Sequence, residues 1–318
     1  MMAVHLENGR ITLQRRPKPR RREGYALIRL LSAGICNTDL ELQRGYYGFS
    51  GIPGHEFAGE VVESDNPKLA GRRVVGEINL ACGKCEWCAR GLGRHCPRRT
   101  VLGIVKHPGA FRELIDLPEV NLHVVPENVP TEQAVFIEPL AAACEILDQV
   151  KIPRGSRVAV LGDGKLGLLV GQVLLANGVE VHQYGRHKEK LKIAETAGAE
   201  TRIANGKLPR AAYDFVVEAT GSQEGLKQAV AMMRPRGTLV MKSTVHGTVT
   251  LDTAPIVVNE ITMVGSRCGR FEPALRLLRE RKVRVEDLIA EVFPLAEAPR
   301  AFRHAATRGV LKVLLATA

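Results

Sequence analysis

The chain has 318 residues, with 45 Lys and Arg against 34 Asp and Glu, and a formal net charge of +11. Apolar residues make up 45 % and charged residues 25 %, fractions that exclude an intrinsically disordered chain. No stretch of about 18 residues is apolar throughout, and the first residues lack the pattern of a signal peptide. We therefore expect a cytoplasmic protein of two domains with no membrane partner.

The densest positive charge lies at residues 15–22, with the sequence RRPKPRRR. Its two prolines exclude a basic recognition helix, so we interpret the segment as a solvated connector between strands. Nucleic acid is not the expected partner. The overall positive charge also suits the attraction of a phosphorylated cofactor.

The first part of the chain is predicted to be rich in β-structure. Apolar runs bounded by glycine, proline and other turn residues predict strands over residues 25–33, 57–62 and 73–77.

Four of the seven cysteines follow next, with the spacing C-x2-C-x2-C-x7-C. They are Cys82, Cys85, Cys88 and Cys96. Clustered thiols in a cytoplasmic chain indicate a metal rather than disulfides, and four thiolates close a tetrahedral zinc site with no open position. The alternative is an iron–sulfur cluster, but the ferredoxin run has three residues before its last cysteine where this chain has seven.

Strands and helices alternate after residue 140, and this alternation predicts a parallel sheet with right-handed crossovers. Helices are predicted over residues 141–151, 166–177, 188–197, 223–233 and 272–280. Strands are predicted over residues 157–161, 180–184, 214–218, 237–241 and 310–315.

A glycine-rich loop follows the first of these strands and opens a helix. Its sequence, residues 162–167, is G-x-G-x-x-G, and this setting is typical of dinucleotide binding. The predicted cofactor contacts in the loop are Gly162, Gly164, Lys165, Leu166 and Gly167. We expect Gly162 to permit the turn, Gly164 to admit a pyrophosphate and Gly167 to pack the helix on the strand.

The next strand ends without the carboxylate that would bind the ribose 2′-hydroxyl of NAD. Gly185 takes that place, and Arg186 and His187 follow. Because Arg can bind a 2′-phosphate through two hydrogen bonds, we predict a preference for NADP(H) over NAD(H). The alternative is that these residues are only the solvated start of a helix.

With both loops in one chain, the sequence resembles the zinc-dependent medium-chain alcohol and polyol dehydrogenases. Residues 34–39 (GICNTD), 54–59 (GHEFAG) and 137–140 (IEPL) are similar to motifs of that family. The resemblance implies an α/β protein with a GroES-like β-rich catalytic domain and a Rossmann domain with a doubly wound parallel sheet. We expect residues 1–140 and 268–318 in the catalytic domain, with the zinc lobe at 82–96, and residues 141–267 in the NADP(H)-binding domain.

The resemblance also implies a catalytic zinc. Its ligands would be Cys36, His55 and Glu138, with Glu56 as the alternative carboxylate. These residue types suit zinc independently of the family. Asp39 is expected to accept a hydrogen bond from His55 and fix its tautomer.

The implied chemistry is hydride transfer between an alcohol, held by the Lewis-acid zinc, and the nicotinamide. Thr38 would pass the hydroxyl proton outward. Where many alcohol dehydrogenases end the relay on a histidine, this chain has Glu41, so the relay ends on Glu41 or on water, or is absent. Lys312 resembles the family's basic contact to a cofactor phosphate, and the alternative is an exposed strand residue.

The expected substrate is an alcohol, a polyol or the matching carbonyl compound. A sugar 1-dehydrogenase or an NADPH-dependent carbonyl reductase of the same fold is the alternative enzyme. A nucleotide-binding regulatory protein or a nucleic-acid-binding protein is the alternative outside enzymes. The resemblance further implies a homo-oligomer, a dimer or a tetramer.

Overall fold

An apolar run with few charges forms the eleven-residue strand Tyr25–Ile35, directly after the basic segment. The structure is a computed structural model and describes residues 1–244 and 248–317. The chain divides into two compact units. The first comprises Met1–Glu138, Ala274–Arg279 and the chain from Leu288 onward, and the second comprises Pro139–Pro273 and Glu280–Asp287.

The first unit begins with ten strands and three short helices. The strands are β1 (Met2–Glu7), β2 (Arg10–Arg15), β3 (Tyr25–Ile35), β4 (Glu56–Glu63), β5 (Arg73–Gly76), β6 (Asn79–Leu80), β7 (Thr100–Leu102), β8 (Lys106–His107), β9 (Leu114–Pro118) and β10 (Leu122–Val124). The helices are α1 (Asn37–Gln43), α2 (Glu86–Ala89) and α3 (Thr131–Ala134).

The chain continues with the alternating elements and returns to the first unit at its end. The helices are α4 (Ile137–Gln149), α5 (Lys165–Ala176), α6 (Lys188–Thr196), α7 (Gln223–Met232), α8 (Ala254–Val258), α9 (Phe271–Arg279) and α10 (Ala298–Ala305). The strands are β11 (Arg157–Leu161), β12 (Glu180–Gly185), β13 (Glu200–Ile203), β14 (Tyr213–Glu218), β15 (Met233–Met241), β16 (Thr262–Gly265), β17 (Ile289–Pro294) and β18 (Lys312–Ala316).

The main sheet of the first unit has the order β10-β5-β4-β3-β18-β17, and β9 also pairs with β3. Strand β3 therefore lies between β4 and β18, antiparallel to both. Its register places Gly34 opposite Glu56 and Ile35 opposite Val313. This pairing brings the end of the chain beside residues from its first sixty.

The second unit contains a six-stranded parallel sheet in the order β13-β12-β11-β14-β15-β16. This is the doubly wound order in which the first strand lies at the centre and the chain runs outward on both sides. Its core includes Leu161, Val216 and Leu239 from three adjacent strands. The predicted fold class, a β-rich unit with a Rossmann unit, is confirmed.

The predicted elements are present with small shifts at their ends. The helix predicted from residue 141 begins earlier, at Ile137, because Pro139 lies in the first turn, where no backbone N–H is needed. The segment after β2 is the connector that its prolines predict. Ten of the described strands were not predicted, namely β1, β2, β6 to β10, β13, β16 and β17. The sequence of β13, ETRI, for example, has no clear apolar alternation.

Candidate active site and metal centres

The register of β3 and β4 builds the first cluster. Cys36 directly follows β3 and begins α1, whose Asp39 accepts a hydrogen bond from the Cys36 backbone N–H at 2.8 Å. His55 directly precedes β4, and Glu56 opens it. The two pairing strands thus carry a thiol, an imidazole and a carboxyl group to one place.

The ligand atoms of Cys36, His55 and Glu56 lie within 4.8 Å of one another. His55 is 3 % exposed and Glu56 is fully buried. Asp39 Oδ1 lies 3.5 Å from His55 Nδ1 and accepts a hydrogen bond from the Gly54 backbone N–H at 3.1 Å. Burial lowers the pKa of His55, but the negative charges of Asp39 and Cys36 outweigh it and raise this pKa well above its ordinary value. Asp39 is therefore placed to orient the imidazole.

Glu56 forms a buried ion pair with Lys312, the first residue of β18. Burial lowers the pKa of Lys312, but the charges of Glu56 and Cys36 raise it, so the side chain is cationic. A Cβ at position 34 would lie 2.6 Å from Glu56 Oε2, which explains why Gly34 stands there. Within the described residues, the buried Glu56 Oε1 has no hydrogen-bond partner.

This donor set fits a metal ion. A thiolate, an imidazole and a carboxylate oxygen without a partner are the ligands that zinc takes in catalytic sites. Glu138 lies half-buried in the first turn of α4 and outside this three-residue group. Whether Glu138 or Glu56 is the carboxylate ligand stays a prediction.

The other residues predicted for the first unit are placed as follows. Thr38 Oγ1 lies 3.9 Å from Cys36 Sγ. Glu41 accepts a hydrogen bond from Arg44 at 2.6 Å. Lys312 is 1 % exposed, so the alternative of an exposed strand residue is wrong. Its contact with a cofactor phosphate stays a prediction.

The four clustered cysteines lie around one point. The sulfur–sulfur distances are 3.4 Å for Cys85 and Cys88, 3.5 Å for Cys82 and Cys96, and 3.6 and 3.9 Å for two other pairs. Sulfurs about 2.3 Å from a tetrahedral ion lie close to these separations from one another, whereas a multi-iron cluster needs more room. A hydrogen bond from the Lys84 backbone N–H lowers the pKa of Cys82 to about 6, which favours the thiolate. The lobe fits one ion held by four sulfurs.

A third group was missed by the sequence analysis, because its members come from neighbouring strands. His182 on β12 lies 3.1 Å from both Glu180 and Glu200 through Nε2. Arg157 binds Glu180, and Arg202 binds Glu200. Because each acid already has a guanidinium partner, we interpret the group as an ion-pair network that joins β11, β12 and β13.

The glycine loop has the predicted geometry. Gly162 has a φ of +120°, and a Cβ on it would lie 2.5 Å from the Ala219 carbonyl oxygen. A Cβ on Gly167 would lie 2.2 Å from the Gly162 oxygen. A Cβ on Gly164, by contrast, would meet no atom of the described residues within 4 Å. Backbone packing therefore requires glycine at positions 162 and 167. At Gly164 the structure leaves open space, directly before α5 begins with Lys165 and Leu166.

Asp163 follows β11, and the sequence analysis did not consider it. Its side chain lies beside the end of β12. Its Oδ2 accepts hydrogen bonds from the backbone N–H groups of Arg186 and His187, both at 2.7 Å, and lies 2.9 Å from His187 Nδ1. Burial raises the pKa of Asp163, but these hydrogen bonds outweigh it and lower the pKa. A Cβ at position 185 would lie 2.5 Å from the Asp163 Cβ, so the packing of Asp163 requires Gly185.

Two family models match the chain. Residues 22–127 match an alcohol dehydrogenase GroES-like domain, and residues 166–280 match a zinc-binding dehydrogenase. D-altritol 5-dehydrogenase from Agrobacterium fabrum is 30 % identical and covers 92 % of both chains. L-threonine 3-dehydrogenase from Streptomyces avermitilis is 32 % identical and covers 94 % of both.

The chain belongs to the zinc-dependent medium-chain alcohol and polyol dehydrogenases. A solved structure of this fold, described as a zinc-binding dehydrogenase from Sinorhizobium meliloti 1021 bound to NADP, has a TM-score of 0.92 and 28 % identity. It covers 99 % of this chain and 98 % of that one. The predicted family and fold are thereby confirmed. Within the described residues, no helix is both long and apolar enough to span a membrane.

Proposed function

We propose that the protein oxidises a secondary alcohol group of a polyol with NADP⁺, or reduces the matching ketone with NADPH. The observation that carries this proposal is the group of half-buried Cys36 with buried His55 and Glu56, in which one carboxylate oxygen has no partner among the described residues. The substrate class draws on two relatives, whose names refer to dehydrogenation at position 5 of an alditol and at position 3 of the hydroxy amino acid L-threonine.

Cys36 and His55 would hold the catalytic metal, with Glu56 or Glu138 as the carboxylate ligand. Zinc bound there supplies Lewis acidity, which lowers the pKa of an alcohol oxygen so that its proton leaves near neutral pH. Asp39, fixed by two backbone N–H groups, keeps the His55 imidazole in one orientation. Lys312 balances the charge of Glu56 and so lowers the net negative charge of the ligand set.

Thr38 is the residue that we assign to proton transfer. Thr38 is half-buried, and its hydroxyl lies 3.9 Å from the Cys36 sulfur. Glu41 forms an ion pair with Arg44 at 2.6 Å, and its carboxylate remains a base that can end the relay. The proton lost by the alcohol would pass through the Thr38 hydroxyl and then to Glu41 or to water.

The second unit would bind the cofactor on its glycine loop. Backbone N–H groups at the start of α5 would hold the pyrophosphate beside Gly164. Arg186 is exposed and makes no side-chain hydrogen bond or ion pair within residues 1–244 and 248–317, so it is available to a 2′-phosphate. NADP⁺, when bound, accepts the hydride from the carbinol carbon. We also propose that the catalytic domain comprises residues 1–140 and 268–318 and that the cofactor-binding domain comprises residues 141–267.

We also propose one structural zinc at the four-cysteine lobe and assembly into a homo-oligomer. The second proposal is supported by the edge strand β16 and by two exposed valines that precede it in the chain, Val257 and Val258, at 73 and 78 % exposure. Size-exclusion chromatography with light scattering tests it, and a monomer at all concentrations contradicts it.

The function is tested by measuring NADPH formation from a panel that includes D-altritol, sorbitol, L-threonine and simple secondary alcohols, with NADP⁺ and NAD⁺ in parallel. Cys36→Ser should abolish turnover without unfolding the protein. Cys268→Ser, a half-buried cysteine outside both metal clusters, is the matched control and should retain turnover. A fully active Cys36→Ser variant would contradict the assignment of the metal site.

A further inference from the structure

A cleft in the first unit is lined in part by the basic segment at residues 15–22. The proposed dehydrogenase reaction does not use this cleft. Its volume is about 1170 Å³, somewhat above the usual range of small-molecule sites. Arg16, Lys18 and Arg22 from the basic segment line it, together with Lys106 and Arg112 from the region of β8 and β9. None of Cys36, Thr38, His55 and Glu56 is among its lining residues.

The charge of this basic cleft is strongly positive. Asp116 is the only carboxylate among its described lining residues, and Arg22 and Arg112 both bind it at 3.0 Å. Lys18 and Lys106 are exposed, and neither forms an ion pair with any described residue. Two free ammonium groups therefore face one concave surface.

The backbone that carries Lys18 is restrained before any ligand binds. The prolines at 17 and 19 fix the backbone on both sides of Lys18. The Arg16 backbone N–H donates to the Met1 carbonyl at 2.9 Å, which ties the segment to the residue before β1. A restrained backbone reduces the entropy that is lost when an anion binds.

Other lining residues of the basic cleft combine apolar surface with strained backbone. Tyr47 is 69 % exposed and lines the cleft with Phe49 and Ile104. Tyr47 and Lys106 both have left-handed backbones, with φ of 59° and 52°, although neither is glycine. Such strain persists where the surroundings enforce it, and it concentrates at functional sites.

We propose that the basic cleft binds a small organic phosphate, with the phosphate on Lys18 and Lys106 and the apolar part on Tyr47. The concave shape fits a small molecule better than a nucleic-acid strand, which needs an extended positive groove. The site is separate from the metal site, and the proposal does not depend on the dehydrogenase activity.

Calorimetric titration of the full-length protein with phenyl phosphate and with inorganic phosphate tests this site. Phenyl phosphate should bind, and more tightly than inorganic phosphate, because it also covers Tyr47. The double variant K18A/K106A should weaken its binding at least about tenfold. The matched control K68A/R72A removes two exposed basic residues outside the cleft and should change the affinity less than about twofold.

A second variant separates the apolar contact from the charge. Tyr47→Ala should reduce the affinity for phenyl phosphate towards that for inorganic phosphate and leave the latter unchanged. The proposal is overturned if neither probe binds at millimolar concentration, or if K18A/K106A and K68A/R72A weaken binding equally. It is also overturned if a single-stranded oligonucleotide binds through Lys18 and Lys106 while phenyl phosphate does not.

Discussion

The ammonium of Lys312 contacts the carboxylate of Glu56, and both side chains are excluded from solvent. The two residues are 256 positions apart in the sequence. Strand β18, beside β3, thus supplies the positive charge that a buried carboxylate at the candidate metal site requires. The packing of the first unit thus sets the charge beside the candidate metal site.

Replacing Lys312 should destabilise the first unit strongly. In Lys312→Met, the buried Glu56 loses the only cationic partner that it has among the described residues, and we expect a loss of about 3–5 kcal/mol in the free energy of unfolding. In the double variant E56Q/K312M the uncompensated charge is gone and the loss should be smaller. The measurement is urea unfolding followed by fluorescence of Trp87, the single tryptophan, which lies in this unit.

Arg29→Met is the matched control for that experiment. Arg29 lies in the same unit and pairs with Glu60 at 2.7 Å, but its side chain is 54 % exposed, so the change should cost less than about 1 kcal/mol. Equal losses for Arg29→Met and Lys312→Met would show that burial of the Glu56 pair contributes nothing.

The four-cysteine lobe should hold one metal ion independently of the cluster at Cys36. Cys88→Ser removes one of four sulfurs, and we expect the metal content of the purified protein to fall by one ion per chain. Elemental analysis gives that number, and Cys144→Ser is the control, since Cys144 lies outside the lobe. An unchanged metal content in Cys88→Ser would be incompatible with a four-sulfur site.

Arg186 should decide between the two nicotinamide cofactors. In Arg186→Ala we expect the KM for NADP⁺ to rise about tenfold or more, because a charge-assisted contact to the 2′-phosphate is lost. The KM for NAD⁺ should change little. Lys192→Ala, an exposed change on helix α6, which begins two residues after Arg186, controls for a general loss of positive charge. A parallel rise in both KM values would argue against a 2′-phosphate contact.

Asp116 should make stability depend on pH in the acid range. Burial raises its pKa, but the charges of Arg112 and His107 outweigh burial and lower the pKa below 3.8. The stabilisation is therefore complete above the ordinary pKa of Asp and is lost as the pH falls through the lower, folded value. Burial lowers the pKa of Arg112, but the guanidinium remains charged in the whole range.

Asp116→Asn tests this at two pH values. At pH 7 the variant should lose about 3 kcal/mol, because Arg112 stays buried without its charged partner. Near pH 3 the difference from the unmodified protein should shrink. Asp214→Asn breaks an exposed pair with Arg234 and should lose less than about 1 kcal/mol. A loss that does not depend on pH would rule out the ionised carboxylate as its source.

The fold and several site residues follow from local sequence signals. The glycine loop after an apolar strand predicted the turn at Gly162 and the close packing at Gly167, because only glycine fits those backbone contacts. The spacing of the cysteines predicted the four-sulfur lobe. Cys36 and His55 were predicted together from family motifs, and the register of β3 and β4 explains their proximity.

Other contacts have no local signal. The pair of Glu56 and Lys312 depends on the pairing of β3 with β18, which no spacing in the sequence reveals. Gly185 was interpreted as a missing carboxylate, whereas its neighbour Asp163 requires a residue without a Cβ there. The group around His182 forms only when three parallel strands align. Each of these depends on tertiary packing.

The most direct test of the central claim is turnover with NADP⁺ before and after a chelator removes metal, with the metal content measured in the same samples. We predict that turnover disappears when the ion at Cys36 and His55 is removed and returns when Zn²⁺ is added back. Full turnover in protein from which that ion is absent would contradict the assignment of this site as the catalytic centre.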